Sequence, residues 1–307
     1  QTSPINFSVV SNPEFLREGS ALEDFMRPNR VVIGADSPEA VAIMKDLYRP
    51  LYLIETPIVV TDIRTAEVIK YASNVFLATK ISFINEMANL CEMVGADVQM
   101  VSKGMGLDKR IGSKFLHAGP GYGGSCFGKD TAALINIGAE AGYEMALAQA
   151  TRKINEKQKV RMVEKIREAV GELQGKKIAL LGLAFKPNTD DIRDSPALSI
   201  ARQLMDNGCA IRACDPEALE ASMRENPKLI PCRDAYHAVE GVDAVVLVTE
   251  WNLFRNLDFE QIRSKVKSPI FIDLRNVYEP QRMAEQGFYY VSVGRKAAGT
   301  NPLKASS

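Results

Sequence analysis

"KKIALLGLAF" (residues 176–185) is an apolar run behind two lysines, and four similar runs follow it before the chain ends. Uninterrupted apolar runs of this length are typical of strands buried on both faces of a sheet. Segments with helical periodicity lie between or beside them. This alternation predicts an α/β fold with a doubly wound, Rossmann-like parallel sheet, whose ligand lies at the carboxyl ends of the strands. The later strand runs are "CAIRACDP" (209–216), "DAVVLVTE" (243–250), "PIFIDLR" (269–275) and "FYYVSVG" (288–294).

The first part of the chain predicts a smaller α/β fragment followed by long helices. Apolar positions recur at helical spacing from Ile63 to Ala96 without a proline, and such a helix is about 50 Å long. Helices of this length connect domains or line a dimer interface. A second long helical run covers 146–173. We therefore divide the chain into a remnant of a Rossmann domain, a central helical dimerisation domain, the parallel-sheet domain and a frayed tail, at residues 1–62, 63–172, 173–295 and 296–307.

Composition excludes several classes of function. The 307 residues contain 38 basic and 38 acidic side chains, which argues against electrostatic capture of nucleic acid or of an anionic membrane. The longest apolar stretch is interrupted by charges, so no bilayer span is predicted. Five cysteines without framework spacing predict reduced thiols in a cytoplasmic protein. The expected partner is a small molecule.

"GYGGSCFGKD" (121–130) concentrates glycines, a cysteine, a lysine and an aspartate. Its glycines match two phosphate-binding patterns, but G-x-G-x-x-G at 119–124 follows no buried strand. G-x-x-x-x-G-K at 123–129 is followed by Asp130, where a P-loop has a Ser or Thr hydroxyl. The two histidines of the chain lie far apart and no C-x-x-C occurs, so no metal site is predicted.

Cys126 remains as the chemically active group of this segment. Lys129 and the start of a helix near Asp130 would both favour its thiolate. A buried, inert thiol is the other interpretation, and the residues alone leave both open. The remaining cysteines lie in helical or strand runs and are predicted to be core residues: Cys91, Cys209, Cys214 and Cys232.

Four segments, in this order, resemble the signature segments of the UDP-glucose/GDP-mannose dehydrogenase family. The resemblance covers essentially the whole chain, and it is closer to the UDP-glucose branch than to the GDP-mannose or UDP-N-acetylhexosamine branches. The segments are "NPEFLREGSALEDF" (12–25), "EVIKYASNVFLATKISFINE" (67–86), "RIGSKFLHAGPGYGGSCFGKD" (110–130) and "GLAFKPNTDDIRDSPAL" (182–198).

The resemblance implies a four-electron oxidation of the primary alcohol of UDP-glucose to a carboxylate, with NAD as the cofactor. Cys126 would add to the intermediate aldehyde, and the thiohemiacetal would be oxidised to a thioester that water hydrolyses. Lys70 and Asn74, one helical turn apart, would stabilise the oxyanion and hold a water. Asp130 would help to activate that water, although helix capping could also select an acid there. Glu14 completes the implied catalytic set.

Further positions match binding residues of the family. Arg110 would reach the site of a second subunit, which predicts a homodimer. NAD would be contacted by Glu18, Cys126, Lys129 and Arg193. The implied substrate contacts are Glu14, Phe15, Leu16, Glu18, Lys70, Asn74, Arg110, Phe115, Leu116, Gly119, Gly121, Tyr122, Gly123, Phe127, Phe185, Lys186 and Arg275.

The chain departs from the family pattern at its start, where members carry a strand followed by G-x-G-x-x-G. The turn after residue 181 offers only Gly182, so Asp215 at the end of the next strand lacks the glycine partner of a ribose-binding carboxylate. We therefore expect a truncated dehydrogenase with impaired NAD binding. Two alternatives stay open: a β-hydroxyacid dehydrogenase, which needs no cysteine, and a non-catalytic module that binds nucleotide sugars or mediates assembly.

Overall fold

The computed structural model describes residues 7–54 and 56–304, and the chain forms two compact units, Gln1–Phe76 and Leu77–Ser307. The first unit holds a three-stranded sheet in the order β1-β2-β3, in which β1 is antiparallel to β2 and β2 is parallel to β3. Its small core is built on Val31, Ile33 and Leu51. Its elements are β1 (Val10–Ser11), α1 (Ala21–Met26), β2 (Val31–Ala35), α2 (Pro38–Leu47), a 3-10 helix (Arg49–Ile54) and β3 (Ile58–Thr61).

Helix α3 (Ile63–Val94) has 32 residues and contains the point at which the two units divide. The sequence predicted this helix from Ile63 to Ala96, and the structure confirms it. The glycine at position 95 has a φ of +76°, a conformation that suits the end of a helix. The second unit continues with α4 (Val98–Gly106), α5 (Phe127–Glu140) and α6 (Ala146–Val170).

The second unit is dominated by six parallel strands in the order β6-β5-β4-β7-β8-β9, which confirms the doubly wound, Rossmann-like sheet. Four of these strands, β4, β7, β8 and β9, are buried along nearly their whole length, as their apolar runs predicted. The strands and helices are β4 (Lys177–Leu181), α7 (Pro196–Asp206), β5 (Ala210–Cys214), α8 (Leu219–Glu225), β6 (Ile230–Pro231), α9 (Ala235–Ala238), β7 (Ala244–Leu247), a 3-10 helix (Asn252–Arg255), α10 (Phe259–Lys265), β8 (Ile270–Asp273), α11 (Pro280–Glu285) and β9 (Tyr289–Ser292).

Several local predictions need correction. Helix α5 begins at Phe127, three residues before the expected start. Strand β6 and helix α9, with two and four residues, were not predicted because they are too short to show a period in sequence. Helix α10 was not predicted either. The expected frayed tail is held over part of its length: Ala298 exchanges backbone hydrogen bonds of 2.8 and 2.9 Å with Tyr290, and Asn301 is buried. Residues 305–307 of that tail lie outside the described residues.

Candidate active site

The strand order of the second unit reverses between β4 and β7, and open parallel sheets bind ligands at the carboxyl ends of strands beside such a point. The turn after β4 carries Phe185 and Lys186, whose Nζ lies 5.4 Å from the centroid of the Phe185 ring. Arg275 follows β8. Its Nη2 donates to the carbonyl of Phe185 at 3.2 Å, and its Nε donates to the carbonyl of Val248 at 2.7 Å. The structure therefore brings three predicted substrate residues together at one sheet edge.

The buried carboxylate of Asp273 holds the backbone of Arg275. Asp273 ends β8, is fully buried, and accepts from the Arg275 backbone N–H at 2.9 Å and from the Tyr290 hydroxyl at 2.8 Å. Burial raises the pKa of Asp273, although these hydrogen bonds oppose the shift. Glu250 Oε2 lies 3.0 Å from Arg275 Nε. The guanidinium thus has a fixed position and a carboxylate beside it.

The glycine-rich loop packs directly on this sheet edge. Gly124 donates its N–H to the carbonyl of Arg193 at 2.8 Å, and a Cβ at Gly124 would lie 2.8 Å from the Phe185 ring. A Cβ at Gly123 would lie 2.5 Å from the carbonyl oxygen of Asp194. These distances forbid a side chain at either position. At these two positions the absence of a side chain makes room for protein atoms.

Cys126 is the N-cap residue of α5 and is half-buried. Its Sγ lies 3.5 Å from the Ser125 hydroxyl. Because α5 begins at Phe127, the thiol stands closer to the start of the helix than the sequence predicted. Asp130 is buried in the first turn, with the Nζ of the exposed Lys129 at 3.6 Å from its Oδ1.

Aromatic rings connect the glycine loop with the start of α5. The Phe127 ring lies 6.1 Å from that of Phe115 and 5.8 Å, edge to face, from that of Tyr122. Burial raises the pKa of Tyr122 to about 12. Phe115 has a φ of +63°, which is strained for a residue with a side chain. Leu116 is buried in the core, and its carbonyl accepts from the Ser102 hydroxyl at 2.5 Å.

The other four cysteines are buried, which confirms that they are core residues. Burial raises the pKa of Cys209 to about 11 and that of Cys214 to about 12. At pH 8 roughly one thousandth and one ten-thousandth of these thiols would be ionised. The pKa values of Cys91 and Cys232 are raised by burial as well. Cys126 is thus the cysteine whose surroundings fit a nucleophile.

Two predicted arginines have exposed side chains that pair with a carboxylate close by in the sequence. The Arg110 side chain is 88% exposed and pairs with Asp108 at 2.6 Å, which raises the pKa of Arg110 and lowers that of Asp108. The Arg193 guanidinium is 62% exposed and pairs with Asp191 at 2.9 Å. The backbone of Arg193 lies against the loop, since its carbonyl accepts the N–H of Gly124. Its guanidinium remains accessible to a ligand.

The first unit brings together a second group of predicted residues. Lys70 on α3 forms an ion pair with Glu14, with 2.8 Å between Nζ and Oε1, and it also donates to the Glu14 carbonyl. Phe15 carries Arg30 over its ring, with 3.4 Å between Cζ and the ring centroid, and Lys70 Nζ lies 5.5 Å from that centroid. Leu16 donates its N–H to Glu14 Oε2 at 2.6 Å. Glu14 therefore fixes both the segment 14–16 and the lysine.

Asn74 and Glu18 complete the predicted residues of the first unit. Asn74 follows Lys70 by one turn of α3 and is only 8% exposed, so its amide is desolvated and suited to a specific hydrogen bond. Glu18 is half-buried in the segment before α1. Glu18 and Asn74 belong to the first unit, and Cys126 and Asp130 belong to the second.

Sequence reasoning missed a set of buried polar side chains that hold the site. Asp215, only 5% exposed, accepts the backbone N–H groups of Leu183 at 2.7 Å and Ala184 at 3.0 Å, and the Trp251 indole N–H at 3.0 Å. It links the turn after β4 to the segment after β7.

Three amide side chains on α3 and α6 contact the glycine-rich loop: Asn85, Asn155 and Gln158. A polar residue at an apolar helix position was the only available signal for them.

Within residues 7–54 and 56–304 no three or more His, Cys, Asp or Glu side chains are grouped so that they could hold a metal ion. In the same residues no helix is long and apolar enough to cross a membrane.

The chain matches the family models of the UDP-glucose/GDP-mannose dehydrogenases over three ranges: the NAD binding domain at residues 1–52, the central domain at 64–157 and the UDP binding domain at 179–280. It is 52% identical to a UDP-glucose 6-dehydrogenase of Rhizobium meliloti (strain 1021) over 299 residues, which covers 96% of this chain and 68% of that protein. It is 48% identical to one of Bacillus subtilis (strain 168), covering 97% of this chain and 64% of that protein.

Solved structures agree with the sequence relatives. The structure of a UDP-glucose dehydrogenase from the hyperthermophilic archaeon Pyrobaculum islandicum is similar to this one, with a TM-score of 0.86 and 40% identity, and the match covers 95% of this chain and 65% of that chain. The chain thus spans about two thirds of the length of the relatives that it matches.

Proposed function

Because the chain belongs to the UDP-glucose/GDP-mannose dehydrogenase family, we propose that it serves the NAD-dependent oxidation of UDP-glucose to UDP-glucuronate. One observation carries the proposal. The loop that ends at Cys126 packs on the turn of Phe185 and Lys186, at the sheet edge that also holds Arg275. A sheet edge with cationic and aromatic side chains, next to a thiol at a helix N-cap, suits an anionic nucleotide sugar. Such a substrate could be oxidised through a covalent adduct with the thiol.

The proposed chemistry gives each residue a task. Arg275 and Lys186 supply positive charge for the diphosphate, and the Phe185 ring supplies an apolar face. The Cys126 thiolate adds to the aldehyde carbon: a C–S bond forms, and the carbonyl π pair moves to the oxygen, which then takes a proton. Such an adduct turns an aldehyde into a carbinol, from which a hydride can leave.

The remaining roles rest on the family resemblance. Lys70 and Asn74 are proposed to stabilise the alkoxide by charge and by an amide N–H. Asp130 and Glu14 are proposed to assist the water that releases the acid. Thioester hydrolysis breaks the C–S bond and returns the thiolate, so Cys126 would be regenerated in each cycle.

NAD would supply the hydride acceptor, and its pyrophosphate would need a cradle of open backbone. Gly34 lies at the end of β2 in the first unit, where such a cradle would need open backbone. A Cβ there would lie 2.5 Å from the Ala66 Cβ and 2.9 Å from the Asp62 carbonyl, so this glycine serves helix packing. Arg193 is the accessible cation suited to the pyrophosphate.

Calorimetry with separate nucleotides tests the proposed function. We expect UDP-glucose to bind at least about tenfold more tightly than GDP-mannose or a UDP-N-acetylhexosamine, which corresponds to about 1.4 kcal/mol, and NAD to bind weakly. Binding of none of these nucleotides would contradict the proposal and favour a structural module. Normal NADH formation from UDP-glucose by this 307-residue chain would contradict the expected NAD impairment and leave the oxidation itself supported.

We also propose that two copies of the chain form a homodimer through α3. Phe76, Phe83 and Leu90 recur on α3 every seven residues and are 64%, 42% and 49% exposed. A seven-residue repeat places them on one face of the helix. The exposed Arg110 could then serve the site of the partner, as the resemblance implies.

Sedimentation velocity tests the dimer. The wild-type chain is expected to sediment with twice the mass of one chain, and the substitution Phe83→Lys to shift the equilibrium towards monomer by burying an unpaired charge. Tyr143→Lys, at a residue that is 68% exposed in the turn after α5, is the matched control and should leave the mass unchanged. A monomeric wild-type chain at tens of micromolar would refute the dimer.

The five cysteines are free, which fits a reducing compartment. We propose that the protein works in the cytoplasm, and cell fractionation checks this placement.

A further inference from the structure

The glycine-rich loop of the second unit is held by side-chain amides. Asn85 Oδ1 accepts the N–H of Gly119 at 2.8 Å, and Gln158 Nε2 donates to the carbonyl of Gly119 at 2.9 Å. Asn155 binds both polar groups of Tyr122: its Oδ1 accepts the N–H at 2.8 Å and its Nδ2 donates to the carbonyl at 3.1 Å. Two residues of the loop thus have both their backbone groups satisfied by amides from α3 and α6.

These three amide side chains lie at buried core positions, where apolar side chains are usually found. Asn85, Asn155 and Gln158 are 0%, 3% and 1% exposed. Burying an amide is unfavourable unless it is hydrogen-bonded, and the net gain per bond is only about 1 kcal/mol. Asn85 keeps its position although its Nδ2 has no hydrogen-bond partner among the described residues. Stability of the core alone does not account for three such residues, whereas a requirement for one loop conformation does.

The loop and the amides are fitted to each other at Gly121. This residue has a φ of +110°, and a Cβ there would lie 2.7 Å from Asn155 Oδ1. A side chain at this position would push Asn155 off the Tyr122 backbone. The amide of Gln158 is also fixed on its other side, because its Oε1 accepts from Asn89 Nδ2 at 3.0 Å. Asn155 and Gln158 therefore each have one orientation in which both their donor and their acceptor are paired.

We propose that Asn85, Asn155 and Gln158 form an amide clamp that positions the loop 119–122 and thereby sets the affinity for the nucleotide sugar. The inference rests on the proposed function, because this loop contains three of the expected substrate contacts and leads to Cys126. The clamp orders the loop before the substrate arrives, so binding does not have to meet that entropic cost. The three amides are positioning residues, since they act through the loop backbone.

Calorimetry with UDP-glucose on the full chain tests the clamp. Asn155→Ala removes both bonds to Tyr122 and is expected to raise the Kd about tenfold. Gln158→Met keeps nearly the same side-chain volume but leaves the buried Gly119 carbonyl without its donor, and it is expected to raise the Kd severalfold. Hydrogen exchange of the peptide that covers 117–126 should be faster in both variants.

Asn301→Ala is the matched control, because Asn301 is also buried and also binds two backbone groups, the Ala169 carbonyl at 3.2 Å and the Leu303 N–H at 2.9 Å. It should lower the Tm as much as Asn155→Ala and leave the Kd within about twofold. An unchanged Kd in Gln158→Met and Asn155→Ala, with a wild-type chain that binds UDP-glucose, overturns the clamp and leaves the proposed function intact. A wild-type chain that binds no UDP-glucose refutes the proposed function, and the clamp with it. If Asn155→Ala does not fold, Gln158→Met alone decides.

Discussion

Replacing Cys126 by alanine is expected to weaken binding of the 6-aldehyde of UDP-glucose about a hundredfold and to leave binding of UDP-glucose itself unchanged. The aldehyde can form a thiohemiacetal with the thiolate, whereas the alcohol cannot. A hundredfold change corresponds to about 2.8 kcal/mol. This value is modest for a covalent bond, because the aldehyde is hydrated in water and must lose that water before it adds the thiol. The thiol is half-buried at the N-cap of α5.

The measurement compares the Kd of the aldehyde with that of the alcohol for each variant, and it needs no NAD. Cys91→Ala is the matched control: this cysteine is buried, and burial raises the pKa of its thiol. Its removal should lower stability and leave both Kd values as in the wild-type chain. Equal aldehyde affinity in the wild-type and Cys126→Ala chains would count against covalent catalysis. It would favour a dehydrogenase that oxidises its substrate without a thiol, as β-hydroxyacid dehydrogenases do.

The main sheet could be predicted from the sequence because both faces of its strands are covered. Continuous apolar runs such as that at 178–181 occur where a strand is buried on both sides, and the helices between them show their own period. The short elements could not be predicted, since the two residues of β6 and the four of α9 show no period. Their positions depend on neighbours that are distant in sequence.

The thiol and its loop were located by sequence, but the reasons for the loop's conformation were not. Gly123 and Gly124 leave no room for a side chain, because the Asp194 carbonyl and the Phe185 ring lie against them. Those contacts join segments about sixty to seventy residues apart, which no local pattern encodes. The amide clamp is similar: Asn85 and Asn155 meet at the loop only because α3 and α6 are packed in this unit.

Asp215 lies at the position of a ribose-binding carboxylate in the dinucleotide-binding motif, but its role in this structure is to hold the fold. It stands at the end of β5, where a dinucleotide-binding sheet places a ribose-binding carboxylate, and the sequence showed only that its glycine partner was missing. In the structure its Oδ2 accepts from the turn after β4 and from Trp251. Its Oδ1 accepts the backbone N–H groups of Glu217 at 3.0 Å and Ala218 at 2.7 Å. Both oxygens are engaged by protein, so this carboxylate serves the fold.

Replacing Asp215 by alanine is therefore expected to lower the free energy of unfolding by about 3–5 kcal/mol, in the range seen when a buried charged network is broken. Five donors lose their acceptor, and each buried N–H without a partner costs about 1–3 kcal/mol, less where water enters the vacated space. Urea denaturation of the full chain measures the change. Asp258→Ala is the control, because Asp258 is an exposed N-cap that accepts one N–H, from Gln261 at 3.0 Å, and its loss should cost about 1 kcal/mol.

The same substitution should also weaken UDP-glucose binding, because Leu183 and Ala184 lead directly to Phe185 and Lys186. An Asp215→Ala chain that is as stable as Asp258→Ala would show that water replaces the carboxylate at little cost. In that case the turn after β4 would be held by its other contacts, such as the bond from the Thr249 hydroxyl to the Ala184 carbonyl at 2.6 Å. A large loss of stability with an unchanged Kd would separate the two roles and confine Asp215 to the sheet. The carboxylate joins three strand ends at the reversal of strand order, so we expect stability and affinity to fall together.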